Sequence, residues 1–138
     1  MGLRPLPPVA AVVGFVGFVD RIDRGELDDL VELMSDDHTL VVLDEPPLVG
    51  RGANRDAWDA DLTAFPGDVI HPRCLTVDGG SVAVLGATTG SHLALPDDEE
   101  MRLTVIWLAE VSGGRVSTWR IVDDTPELRA QVGIPADA

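Results

Sequence analysis

Arg120 is the residue of this chain with the plainest chemistry and the least obvious place. It stands in VSTWRIV, Val116 to Val122, where side chains alternate with the period of a strand. Thr118 and Arg120 then share one face and Trp119 takes the other. If the first face lines an enclosed space, Arg120 needs an anionic partner there, because an isolated buried charge is very costly. It could hold a carboxylate, an enolate or a ketone oxygen and stabilise charge that develops during a reaction. The alternative is an internal ion pair with Asp44, Glu110 or Asp123. Asp44 stands where the apolar run HTLVVLD meets EPPLVG. In an apolar mouth its carboxyl would titrate upwards and serve as a general base; in a solvated turn it would not. Trp58, among Ala57, Leu62 and Phe65, is either ordinary core or a stacking wall for a ligand. His92 ends a strand beside PDDEE, at a pocket mouth or in a surface loop. His71 and Arg73 are expected to face out, and His38, following Asp36 and Asp37, to lie on the surface.

Composition narrows the chemistry. The 138 residues are 45% hydrophobic, enough for a core in one domain, taken as residues 1–138. The net charge of −14 repels phosphate backbones and anionic membranes, so neither nucleic acid nor a membrane surface is an expected partner. All ten basic residues are Arg, so there is no lysine for a Schiff base or a phosphate loop. Tyrosine is absent too. Three scattered histidines and Cys74 have no metal-ligand spacing, so neither metal nor cofactor is expected. Cys74 reads as a small buried hydrophobe. A single cysteine rules out an internal disulfide and suits the cytoplasm. No segment reaches the ~20 apolar residues of a membrane span. The apolar start, Val9 to Val19, has no small-residue cleavage site after it and reads as a helix of the mature fold.

The elements that must position these residues follow from periodicity. PPVAAVVGFVGFVDRIDRG reads as helix one, with Val12, Phe15, Val16, Val19 and Ile22 at helical spacing. ELDDLVELM is a short second helix and ANRDAWDADLTAF a third, stopped by Pro66 and Gly67. HTLVVLD, DVIHPRCLTV and SVAVLGATTGSHLAL read as strands, with Pro72 marking an edge or a bulge. EPPLVGRG and PDDEE read as loops. MRLTVIWLAEV and RVSTWRIVD form a hairpin around SGG. Thr125 and Pro126 open a last short helix. Helices first and long antiparallel strands later argue for an α+β fold.

Four stretches carry a family resemblance: FVDRIDRGELDDLVELMSDD, PPLVGRGANRDAWDADLTAFPG, GATTGSHLALP and GGRVSTWRIVDDTPELRAQVG. They resemble the SnoaL-like proteins of the nuclear-transport-factor-2-like superfamily, which also holds ketosteroid isomerase and limonene epoxide hydrolase. The resemblance implies a cone: a curved antiparallel or mixed sheet wrapped on three helices of the N-terminal half, enclosing an apolar pocket. It implies a homodimer through the outer sheet face, and on that reading Thr118 and Arg120 point into the pocket while Trp107 and Trp119 point out, onto the interface. The family's cyclases use two histidines and an aspartate, whose positions match Thr88, Thr118 and Arg120 here.

The function expected is a cofactor-free cyclase or isomerase of polyketide-type secondary metabolism acting on a small hydrophobic molecule. Asp44 would be the base and Arg120 the anion clamp, with Thr88, Thr118, Trp58 and His92 binding substrate. The alternatives are a non-catalytic binding or accessory protein and, behind it, an epoxide hydrolase-like enzyme using Arg120 and Asp44.

Overall fold

The computed structural model describes residues 8–138; Pro7, expected to begin helix one, lies outside the described residues. The elements run α1 (Pro8–Arg24), α2 (Leu27–Glu32), β1 (Met34–Val42), β2 (Leu48–Val49), α3 (Arg51–Ala64), β3 (Val69–Asp78), β4 (Ser81–Thr89), α4 (Asp97–Glu100), β5 (Val105–Ser112), β6 (Arg115–Asp123) and α5 (Pro126–Val132). The strands make one curved, unclosed sheet in the order β2-β1-β6-β5-β4-β3. Among the described residues only β1 and β6 pair in parallel. The architecture is the expected α+β one. Two stretches read as loops carry structure: EPPLVG contributes β2, and PDDEE winds into α4.

The helical spacing of Phe15, Phe18, Val19 and Ile22 puts these side chains on one buried face of α1. That face lies on the inner side of the sheet, with the Phe18 and Phe15 rings 4.5 and 5.0 Å from the Trp119 ring. Each ring so buried contributes about 2–3 kcal/mol of transfer free energy. A second, smaller core covers the other side, where Ile134 and half-buried Leu128 and Val132 of α5 pack on Ala83, Leu85 and Ile106. Strand β4 is thus buried on both faces, and its sequence VAVLGA is continuously apolar for that reason.

The phase of the last hairpin corrects the expectation from the resemblance. Trp107 and Trp119 are 1% and 0% exposed, on the inner face beneath α1, and Arg120 is exposed on the outer face. Alternation along the strand holds, but inside and outside are exchanged. Opposite Trp119 stands Ala109, and opposite Trp107 stands Val84, so large and small side chains interlock. Burying two indoles and leaving one guanidinium in water is the lower-energy phase. These tryptophans therefore form no outer interface.

Candidate functional site

At the rim of the cone, α3 ends at Ala64, with Phe65 as its cap and Pro66 and Gly67 following. The amide of Asp68 returns to the carbonyl of Phe65 at 3.0 Å, which turns the chain back on the helix it has left. Along α3, Asn54, Trp58, Asp61, Leu62 and Phe65 recur at three- and four-residue spacing and share the face turned to the sheet. Asp61 and Asp68 thereby come within hydrogen-bonding reach of each other. Oδ2 of Asp61 and Oδ1 of Asp68 are buried and find no N–H or O–H donor in the protein. Two carboxyls can bond only by holding a proton between them. Burial first, then the charge of Asp61, the bond to it, and the charges of Glu100 and Asp23 raise Asp68 to about 7.

Two more acids complete the rim. Asp23, near the end of α1, is raised by burial, although it accepts a 2.9 Å bond from the amide of Ile70. Glu100, last in α4, is 1% exposed. Burial works to raise it, but hydroxyl bonds from Ser91 and Thr88 outweigh that and hold it below the usual carboxylate range. The Ser91 bond is 2.6 Å long. The rim so holds one fixed carboxylate, Glu100, beside a pair able to keep a proton near neutrality. Among the described residues, no three His, Cys, Asp or Glu side chains are grouped to hold a metal ion.

Below the rim, His38 corrects a second expectation: it is 0% exposed, not on the surface. Its Nδ1 donates to the Val116 carbonyl at 2.6 Å, which leaves Nε2 as a bare acceptor. Burial lowers its pKa and keeps the ring neutral. The amide nitrogen of Asn54 donates to the carbonyls of His38, Leu48 and Gly50 and ties β1 and β2 to α3. His38, Trp58 and Trp119 all surround the ring of Phe18.

The structure sorts the residues expected from sequence into two groups. Thr88, Trp58 and His92 belong to the neighbourhood of the rim: Thr88 bonds Glu100, Trp58 precedes Asp61 by one helical turn, and exposed His92 stands edge-on to Phe65 with ring centres 6.3 Å apart. Asp44, Arg120 and Thr118 do not join them. Asp44 is exposed in the turn after β1, beyond Leu43, whose φ is +52°. Arg120 and half-buried Thr118 face outwards, and Arg120 pairs with no carboxylate among the described residues. The arginine in a near-buried ion pair is Arg129, held by Asp124 at 2.7 Å. Sequence reasoning missed Asp23, Asp61, Asp68, Glu100 and His38. Two of them were signalled: Asp61 falls on the inward stripe of α3, and His38 is two residues from inward Leu40 on β1.

Residues 15–119 match the family model described as a SnoaL-like domain. Among curated proteins, none matches the chain in sequence. Solved structures share the fold. A candidate SnoaL-like polyketide cyclase from Jannaschia sp. CCS1 superposes with a TM-score of 0.67 at 20% identity, over 99% of each chain. The epoxide hydrolase/cyclase-like enzyme SalBIII, of pyran ring formation in the polyether salinomycin, gives 0.66 at 22% identity, over 81% of this chain and 88% of that one. A nuclear-transport-factor-2-like protein of unknown function from Cytophaga hutchinsonii gives 0.65 at 8% identity, over 93% of this chain and 98% of that one.

Proposed function

The chain belongs to the SnoaL-like domain family, and from that premise we propose that it is a cyclase or isomerase that moves protons without a cofactor. Asp61 and Asp68 form its acid–base pair, acting on a small hydrophobic molecule of polyketide-type metabolism. The observation that carries this reading is the half-buried Asp68 carboxyl, raised to about 7 while it faces Asp61. A pair holding one proton near neutral pH contains both a base and an acid. The carboxylate takes a proton from carbon next to a carbonyl, and the acid gives its proton to the carbonyl oxygen, leaving an enol. Where the enol is conjugated, the protonated member of the pair gives its proton to the far carbon while the ionised member takes back the enol O–H proton, and the substrate is isomerised. Alternatively the enol's α carbon attacks a second carbonyl and closes a ring, the enol O–H proton returning to the ionised member and the protonated member giving its proton to the new alkoxide. Glu100, ionised and fixed by Ser91 and Thr88, keeps the shared proton on the pair. Arg120 and Asp44, both exposed, are not members of this proposed pair.

The test is exchange of enolisable protons of β-diketones in deuterated buffer, followed by NMR. Wild type should exchange them above the buffer rate with a bell-shaped pH profile centred near 7. Asp68→Asn should lower that rate by about 10²–10⁴, the usual share of general acid–base catalysis. Equal rates for the two proteins would remove the catalytic reading. The second reading, a non-catalytic binding protein, is favoured by one observation: aromatic side chains fill the space between α1 and the sheet.

A further inference from the structure

Residues 90–104 join β4 to β5 and carry α4. Within 92–103 a single side chain is buried, and it is a carboxylate, Glu100. No leucine holds the segment down: Leu93 and Leu103 are 44% and 51% exposed, and Leu95 is half-buried. Segments with so few buried apolar contacts open at low free energy. The Glu100 anchor is itself divided. Its Oε2 accepts from the hydroxyls of Thr88 and Ser91, while its Oε1 is buried with no donor. A charged oxygen left unpaired away from water is costly. The start of the segment rests on the loop that leads to Asp68. Gly90 has a φ of +69°, and a Cβ there would run into the Gly67 carbonyl. Glu100 thereby comes close enough for its charge to act on Asp68, together with those of Asp61 and Asp23.

We propose that residues 91–104 are a lid, latched beside the Asp61–Asp68 pair through Glu100, and that loss of the pair's shared proton releases it. The lid rests on the shared proton of the acid–base reading and not on catalysis. With the proton in place the pair carries one negative charge, and Glu100 stays beside it. Without the proton the pair carries two, and Glu100 adds a third where little water screens them. Relief comes from the member with the weakest hold. Asp61 is part of α3, and Asp23 of α1 is bonded to the Ile70 amide. Glu100 stands on a segment with no other buried side chain, so it is the one that moves out to solvent. Other charged and titratable groups face the cluster: Asp20 and His71 lie towards Asp23, and His92 towards Glu100. An exposed 3.2 Å bond from Arg73 to the Met101 carbonyl ties the far end of the lid to β3. The raised Asp68 carboxyl, at about 7, sets the direction: the lid is closed below that pH and opens above it.

The experiment is native-state hydrogen exchange by mass spectrometry on peptides spanning the lid. The amides of Glu99, Glu100, Met101, Arg102 and Leu103 close its turns and report on its opening. Their protection factors, corrected for intrinsic exchange, are compared at about pH 6 and about pH 8, on either side of the Asp68 titration. Wild type should lose protection several-fold between the two, up to the limit of about tenfold that one proton allows over this range. The α5 amides of Arg129 and Ile134 are the reference for global unfolding, and the loss in the lid should exceed theirs. Asp68→Asn, whose carboxamide gives Asp61 an N–H without a charge, should keep the lid equally protected at both values. Glu100→Gln, which still accepts from Ser91 and Thr88, should do the same. Equal protection of wild type at both values overturns the lid. So does a loss that persists in Asp68→Asn, because it would belong to His71, His92 or Asp23. Should Asp68→Asn not fold, Asp61→Asn takes its place with the same expectation. β-Diketone exchange is followed on the same samples. A pH-dependent lid without diketone exchange supports the latch and removes catalysis alone; diketone exchange beneath a lid that ignores pH overturns the latch alone.

Discussion

A carboxyl that keeps its proton near neutrality changes how stability depends on pH. Asp68 moves from 3.8 in the open chain to about 7 in the fold. Between those values the native state binds more protons than the unfolded one. Its contribution is therefore complete below about pH 4 and is lost as pH rises through about 7. Glu100 and Asp124 act in the opposite sense, since hydroxyl bonds hold the first below its ordinary range, and Arg129 and Thr104 the second. The difference between wild type and Asp68→Asn isolates the one group. Asp68→Asn should be more stable than wild type at about pH 8, by about 1–2 kcal/mol after solvent screening is allowed for. The gap should close towards about pH 4. Urea melts across that range check it; a gap independent of pH would mean that Asp68 does not hold the proton. None of this was legible residue by residue. Asp68 reads as the first residue of a strand, and its shift arises from burial and from Asp61, Glu100 and Asp23, on three other parts of the chain.

At the scale of elements, much was legible because the signals are local. Gly113 and Gly114 have φ of 58° and 77° and make the tight turn of the β5–β6 hairpin, where Ser112 pairs with Arg115. Thr125 caps α5 through a 3.1 Å bond from the amide of Leu128, with Pro126 next to it. Pro72 sits on edge strand β3, at a break in register before Cys74. The phase of β6 was not legible, since alternation reads the same with either face inward. Gly86 shows how closely these elements approach. A Cβ there would lie 2.4 Å from the His71 carbonyl oxygen and 3.1 Å from Cζ3 of Trp107. Gly86→Ala should therefore cost about 1–3 kcal/mol, with lost tryptophan near-UV dichroism as Trp107 shifts. A neutral substitution would show that β3 and β4 separate freely.

For the whole molecule, the homodimer remains a proposal, and the placement of Trp107 and Trp119 moves it elsewhere on the outer face. The half beneath α5 is covered by Ile134, Leu128 and Val132. The other half presents Val49, 61% exposed, in register with Thr39, which pairs in turn with Thr118. Val49→Asp should convert a dimer into a monomer by light scattering; a mass that does not change would place the contact on another surface. No helix of the described residues is long and apolar enough to cross a membrane. The amino-acid sequence by itself determined the order of the elements other than β2 and α4, the turns and caps, and the family, because these follow from neighbours within a few residues and from patterns along one strand or helix. Only the tertiary structure decided which face is inside and which acids converge. A strand's alternation is symmetric until helices cover one side, and a raised carboxyl or an unpartnered carboxylate oxygen exists only where distant elements exclude water together.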